Sequence, residues 1–142
     1  MKIKKNILFL LATAICFTVF SCKSNKENTR ISHFQYGGYG DSVVGTVQGN
    51  AMKIVTLDKI IGAGEFEVEI NHSKKIKVNT EMDGSYFFNI ENGTYNLKYI
   101  LNGYEPIIIK NYKSVSDQVT TIDVNFEQGN ETQTYIAPKW EK

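Results

Sequence analysis

The sequence predicts an all-β domain, a sandwich of seven to eight antiparallel strands. After residue 41, short segments alternate polar and apolar residues with the period of two that is typical of half-buried strands. Turn-forming residues separate these segments, and no stretch with the apolar period of an amphipathic helix competes with them. The candidate strands cover residues 42–48, 53–57, 65–70, 75–80, 85–90, 94–101, 105–110 and 119–127.

Three of these strands supply clear apolar rows for a core. Phe66, Val68 and Ile70 alternate with glutamates, which predicts one buried and one solvated face. The other two rows are Tyr95, Leu97, Tyr99 and Leu101, and Ile122, Val124 and Phe126. Rows on separate strands can close one core between two sheets. A chain of 142 residues with 42% hydrophobic residues fits one globular domain.

Glycine-containing turns connect the later strands. They read Met-Asp-Gly at residues 82–84, Glu-Asn-Gly at 91–93 and Asn-Gly at 102–103. Glycine and asparagine tolerate the left-handed backbone that such reversals require. The residues expected to serve the fold at these turns are Asp83, Gly84, Gly93, Tyr95, Gly103 and Tyr104.

The first 21 residues predict a secretory signal. Three lysines among residues 2–5 precede an apolar run over residues 7–20, which is too short to span a bilayer comfortably. Ser21 directly before Cys22 resembles the lipobox of bacterial lipoproteins, in which the cysteine sulfur is diacylated and becomes the mature N-terminus. We therefore expect a membrane anchor at Cys22, with an ordinary signal peptide or an uncleaved anchor as the alternatives.

The net charge disfavours one class of partner, and the cysteine positions exclude an internal disulfide from the expected mature chain. Removing residues 1–21 lowers the number of Lys and Arg residues from 16 to 13 against 15 acidic residues, for a net side-chain charge of about −2. No concentrated basic stretch appears, which disfavours nucleic acid as a partner. The second cysteine, Cys16, lies within the signal, so the mature chain would have no internal disulfide.

Residues 22–41 predict a lipidated N-terminus and a flexible tether, because they begin polar and charged and become rich in glycine and tyrosine. The Lys-Ser-Asn-Lys-Glu that follows Cys22 resembles export signals of surface lipoproteins in Bacteroidetes. We expect the protein in the cell envelope, anchored in the outer membrane, with the periplasmic and surface faces both open. Residues 129–142 are assigned to a C-terminal tail.

The order of short motifs across residues 43–128 resembles the carboxypeptidase regulatory-like domain, a Greek-key, prealbumin-like (transthyretin-like) sandwich. The motifs are Gly45-Thr-Val, Thr80-Glu-Met-Asp-Gly-Ser-Tyr-Phe-Phe, Asn92-Gly-Thr-Tyr-Asn-Leu, Asn102-Gly-Tyr and Val124-Asn-Phe. The segment 49–64 departs from the family, which usually has a short proline-containing loop there, since it is longer and apolar. The resemblance implies a non-catalytic appendage that aids folding, packing or recognition.

Catalytic and metal-binding residue patterns are sparse. The histidines, His33 and His72, lie far apart in polar stretches without the clustered ligands that zinc requires. No Gly-x-Ser-x-Gly motif is present, and His72 is the one histidine within the domain that could act as a base. We therefore expect no enzyme activity, metal or cofactor, and keep a small hydrolase that uses His72 as a remote alternative.

Aromatic residues outside the inward rows are the clearest candidates for binding. These candidates are Tyr36, Tyr39, Tyr112 and Trp140. Exposed rings of this kind can stack on sugars or anchor a protein interface. The alternative is that they fill the ends of the sandwich. The leading prediction is a non-enzymatic, lipid-anchored interaction or accessory module of the cell envelope, whose recognition surface is some of the segments 49–64, 102–104 and 111–118 together with nearby aromatics. The alternative is a glycan-binding surface lipoprotein.

Overall fold

The computed structural model describes residues 30–40 and 42–141, which form ten β-strands in two sheets. The strands are β1 Ile31–Tyr39, β2 Gly45–Thr56, β3 Lys59–Gly62, β4 Glu65–Ile70, β5 Lys74–Asn79, β6 Ser85–Ile90, β7 Gly93–Ile100, β8 Ile107–Ser114, β9 Gln118–Phe126 and β10 Gln133–Ile136. The all-β prediction is therefore confirmed. Within this part of the chain, no helix is long and apolar enough to cross a membrane.

Both sheets contain parallel and antiparallel pairs. The first sheet has the order β1-β9-β2, and β2 pairs on its other side with β6 along residues 45–50 and with β3 along residues 52–56. The second sheet has the order β10-β8-β7-β4-β5. The pairs β2–β9 and β8–β10 are parallel, so the prediction of antiparallel pairing throughout is wrong. The strands of each parallel pair are not consecutive in the chain, so no hairpin joins them. A hairpin forces its two strands to be antiparallel, whereas a longer connection allows either direction.

Several strand boundaries differ from the prediction. The segment assigned to the tether contains β1, and the segment assigned to the C-terminal tail contains β10. The predicted strands 42–48 and 53–57 both overlap one continuous strand, β2, which runs from Gly45 to Thr56. This continuity depends on Gly49, whose φ is +154° and whose Cβ, if it had one, would lie 2.0 Å from the carbonyl oxygen of Ile122 on β9.

The core lies between the two sheets and contains the predicted apolar rows. Phe66, Val68 and Ile70 are buried, as are Leu97, Tyr99, Ile122, Val124 and Phe126. Aromatic rings meet at its centre: Phe66 stacks on Tyr99 with centroids 5.8 Å apart and meets Tyr86 edge-on at 5.3 Å. The Tyr86 hydroxyl donates to the Ile122 carbonyl at 2.7 Å and lies 3.2 Å from the Tyr99 hydroxyl.

A buried ion cluster closes one end of the fold. Arg30, at the start of β1, forms ion pairs with Glu105 and with Glu127, the second at 3.0 Å. Arg30 and Glu105 are 8% and 6% exposed, and Glu105 also accepts a hydrogen bond from the backbone N–H of Glu131 at 3.3 Å. No pattern in the sequence indicated this cluster, since the three charged residues are separated by 75 and 22 positions.

Candidate functional site

Four of the six sequence-predicted turn residues lie in turns, and the other two, Gly93 and Tyr95, lie at the start of β7. The Asp83 carboxylate accepts a hydrogen bond from the Ser85 N–H at 2.9 Å, and hydrogen bonds from Ser85 lower the pKa of Asp83. Gly84 has a φ of +87° and packs against β2, where an added Cβ would lie 3.2 Å from the Ala51 carbonyl oxygen. Gly93 begins β7 beside the ring of Tyr95, and Gly103 and Tyr104 follow β7 in a turn.

Three of the four candidate binding aromatics lie in one cluster. Tyr36 on β1 stacks on Tyr112 of β8 with centroids 6.1 Å apart, and Trp140 meets Tyr36 edge-on at 5.4 Å. Phe34 of β1 contacts both Tyr36 and Tyr135 of β10. We call these five rings the edge aromatic cluster. They fill the gap between β1 of the first sheet and β10 and β8 of the second.

The edge aromatic cluster packs against the domain, and its members differ in how deeply they are buried. Tyr112 is fully buried, so its prediction as a binding aromatic is wrong. The Tyr36 hydroxyl accepts a hydrogen bond from the Lys113 N–H at 3.0 Å, and burial raises the pKa values of Tyr36 and Tyr112. Trp140 packs back on the domain. Tyr39, at the end of β1, is 98% exposed and takes no part in this cluster.

A polar recess lies on the outer face of the first sheet. Because Val47 and Ala51 of β2 point into the core, Gln48 and Asn50 point outward. Gln48 pairs with Phe87 of β6 on one side and with Thr121 of β9 on the other. The outward residues of three strands therefore share one face. We define the polar recess as Thr46, Gln48, Asn50, Ser85, Phe87, Thr121 and Asp123, with Asn79 and Glu81 at its rim.

The polar recess consists of two shallow depressions that share Gln48, Ser85 and Tyr86. One, of about 430 Å³, reaches Phe87 and Glu81, and the other, of about 290 Å³, reaches Thr121 and Asp123. Its side chains are amides, hydroxyls and carboxylates, with no Lys or Arg among the lining residues. Phe87 is 72% exposed and is the exception in this polar lining. No sequence pattern singled out these residues, because each belongs to the ordinary outward half of a strand.

Hydrogen bonds hold parts of the polar recess in place. The Asp123 carboxylate accepts from the backbone N–H of Asn50 at 2.7 Å, across the parallel pair β2–β9. Near its other end, the Thr46 hydroxyl donates to the Asn89 side-chain oxygen at 2.9 Å. These contacts fix side chains on neighbouring strands before any ligand arrives.

The hairpin of β2 and β3 carries exposed apolar side chains. Leu57 at its tip is 97% exposed, and Ile60 and Ile61 of β3 are 54% and 38% exposed. Ile60 pairs with Ile54 of β2, so these two side chains share one face of the hairpin. We call Ile54, Leu57, Ile60 and Ile61 the apolar hairpin. It lies in the segment 49–64.

The histidine of the hydrolase alternative lies in an exposed turn. His72 follows β4, and its Nδ1 atom lies 3.2 Å from a carboxylate oxygen of Glu69. The neighbouring Ser73 hydroxyl donates to the Ile70 carbonyl rather than to His72. Residues 30–40 and 42–141 contain no group of three or more side chains arranged to hold a metal ion. Cys22, the predicted lipid attachment site, lies outside the described residues.

The likeness of the chain to known proteins is distant. No protein-family model matches the chain, and no curated protein matches it. Among solved structures it is similar to a DUF3823 family protein from Bacteroides ovatus ATCC 8483, at 22% sequence identity and a TM-score of 0.31. The alignment covers 66% of this chain and 43% of that one, so this chain spans less than half the length of the protein it matches.

Proposed function

We propose that this protein is a non-catalytic, lipid-anchored module of a bacterial cell envelope that binds a protein partner through the apolar hairpin. The observation that carries the proposal is the exposure of Leu57, Ile60 and Ile61 on one short hairpin. The membrane anchor at Cys22 rests on the resemblance of the N-terminal segment to a lipoprotein signal.

The apolar hairpin has the composition of an interface centre. Full burial of one large aliphatic side chain contributes about 1.5–3 kcal/mol, and clustered exposed apolar residues mark interaction sites more often than scattered ones do. Lys53 pairs with Ile61, so these two side chains share the face of the hairpin opposite Ile54 and Ile60, and Lys53 borders Ile61 there. A few central apolar contacts with a polar surround are enough to provide most of the affinity of a protein interface.

The placement of the family motifs supports a prealbumin-like, carboxypeptidase regulatory-like fold as part of this proposal. Gly45-Thr-Val begins β2, and the Thr80 motif runs through a turn into β6. Gly93-Thr-Tyr-Asn-Leu begins β7, and Val124-Asn-Phe ends β9. Motifs that coincide with strand starts and turns are those that a shared sandwich would require. A crystal structure that places these strands in another topology would contradict the assignment.

Site-specific photocrosslinking in intact cells tests the partner proposal. A photoreactive amino acid replaces Leu57 in one variant and Ile136, an exposed residue of β10 on the second sheet, in a control. We expect one discrete protein adduct from position 57 and none of the same mass from position 136. The double variant Leu57→Ser, Ile60→Ser should lose the partner in affinity capture. Equal adducts from both positions, or none from position 57, would contradict the proposal.

A further inference from the structure

We infer that the polar recess binds a neutral carbohydrate chain. This inference concerns a different surface from the apolar hairpin and does not depend on the protein partner. It depends on Phe87, which is open to solvent, and not on Tyr36, Tyr112 or Trp140 of the edge aromatic cluster.

The charge of the polar recess selects against other ligand classes. Its lining includes the carboxylates of Glu81 and Asp123 and no Lys or Arg. Phosphate, sulfate and acidic sugars would meet these carboxylates without a compensating cation. A wholly apolar ligand would bury the amides of Gln48 and Asn50 without partners, which is costly.

The hydrogen-bonding groups of the polar recess suit a polyol. Amide and hydroxyl side chains both donate and accept, as sugar hydroxyls do, and carboxylates accept from two hydroxyls at once. Thr121, Gln48 and Phe87 lie side by side on three adjacent strands. Strands lie about 4.8 Å apart, so this line is about 10 Å long, comparable to a disaccharide. A chain laid across the strands would meet polar groups first and an aromatic ring last.

Phe87 supplies the apolar surface that sugar recognition needs. Its neighbours Tyr86 and Phe88 are buried in the core, whereas the Phe87 ring adds nothing to that core. The face of an aromatic ring is electron-rich and attracts the weakly positive C–H groups on the face of a sugar ring. An exposed ring beside fixed hydrogen-bonding groups therefore provides both halves of a carbohydrate site.

Affinity electrophoresis of the purified full-length chain tests the inference. Native gels contain xylan, mannan, a β-glucan or an α-glucan as neutral polysaccharides, and polygalacturonate as the acidic one. We expect at least one neutral polysaccharide to retard the protein and polygalacturonate to leave it unaffected. Phe87→Ala should weaken binding by about tenfold or more, and the double variant Gln48→Ala, Thr121→Ala should also weaken it.

Ile136→Ala is the matched control, because Ile136 is 67% exposed against 72% for Phe87 and lies on the other sheet. The control should bind like the unchanged protein, and Leu57→Ser, Ile60→Ser should do so as well. The inference is wrong if no neutral polysaccharide retards the protein, if only polygalacturonate does, or if Phe87→Ala and Ile136→Ala behave alike. If position 57 gives no crosslink while polysaccharide binding is intact, the proposed protein partner is contradicted and the carbohydrate inference is supported.

Discussion

At the scale of single residues, the core contains tyrosines whose hydroxyl groups are cut off from water. Burial raises the pKa of Tyr99, and it raises that of Tyr86 well above the usual range, where the nearby Tyr99 adds to the effect. The Tyr86 hydroxyl is satisfied by the Ile122 carbonyl, so the neutral form fits the folded state. The ionised form does not fit the folded state, so the free energy of unfolding is sensitive to alkaline pH.

Replacing Tyr99 by Phe should reduce this alkaline sensitivity. In the unfolded chain a tyrosine loses its proton near the ordinary value of 10.0, while the folded protein keeps Tyr99 protonated at higher pH. The unfolded state then binds fewer protons, so the free energy of unfolding falls as pH rises above 10, by about 1.4 kcal/mol per pH unit for each such group.

Urea unfolding of the unchanged protein and of Tyr99→Phe between pH 9 and pH 11 measures this slope. The slope above pH 10 should be shallower in Tyr99→Phe. Tyr39→Phe, which alters a hydroxyl that is almost fully exposed, should leave the slope unchanged. The same slope in all three proteins would show that Tyr99 ionises without unfolding.

At the scale of elements, β1 is held at its start by the buried ion cluster and along its length by β9 and the edge aromatic cluster. Arg30 brings the only cation in that cluster among the residues that the structure describes. Removing one partner of a buried ion pair leaves an uncompensated charge, which is more damaging than removing both.

Arg30→Met should therefore destabilise the protein by about 3–5 kcal/mol, measured by urea unfolding. The double variant Arg30→Met, Glu105→Met should recover most of this loss, because it removes the stranded carboxylate together with its cation. A loss below about 1 kcal/mol for Arg30→Met would mean that the cluster contributes little to the attachment of β1. A large loss without recovery in the double variant would show that the stranded carboxylate is not its cause.

The sequence did not predict β1 or β3, because each lacks a local signal on which strand prediction depends. In β1 the pairing register shifts between Ile31 and His33, so the inward residues change from odd to even positions and the period of two is lost. The hairpin of β2 and β3 turns at Leu57 and Asp58, without the glycine or asparagine pair that marks most tight turns. Strands with regular alternation, such as β4 and β9, were predicted within one residue at each end.

The residues of the candidate sites also differ in how clearly the sequence indicates them. Tyr36, Tyr112 and Trp140 are conspicuous in the sequence as aromatics, yet tertiary packing decides that they meet one another. Gln48, Thr121 and Phe87 are inconspicuous in the sequence, since their proximity depends on a parallel pair between β2 and β9, two strands separated by 61 residues. Composition shows which groups a chain has, and topology decides which of them face one ligand.

At the scale of the whole molecule, the short stretch of sequence between Cys22 and Arg30, the first described residue, limits how far the domain lies from the proposed anchor. Seven residues lie between Cys22 and Arg30, so eight residue-to-residue steps allow at most about 30 Å even in a fully extended chain. A domain on so short a connection stays near the membrane surface. If the proposed anchor holds, the proposed partner of the apolar hairpin is expected to be an envelope protein at the same membrane, and the proposed glycan is expected to be one that reaches that surface.

Replacing Cys22 by Ser tests the anchor on which this picture rests. Acyl chains on Cys22 would hold the protein in the membrane fraction, since two or more chains give stable attachment whereas one gives only marginal binding. Cys22→Ser should therefore shift the protein from the detergent phase to the aqueous phase on Triton X-114 partitioning. Cys16→Ser, which changes the cysteine inside the predicted signal, is the control and should remain in the detergent phase. If Cys22→Ser stays with the detergent, an uncleaved apolar segment rather than a lipid holds the chain.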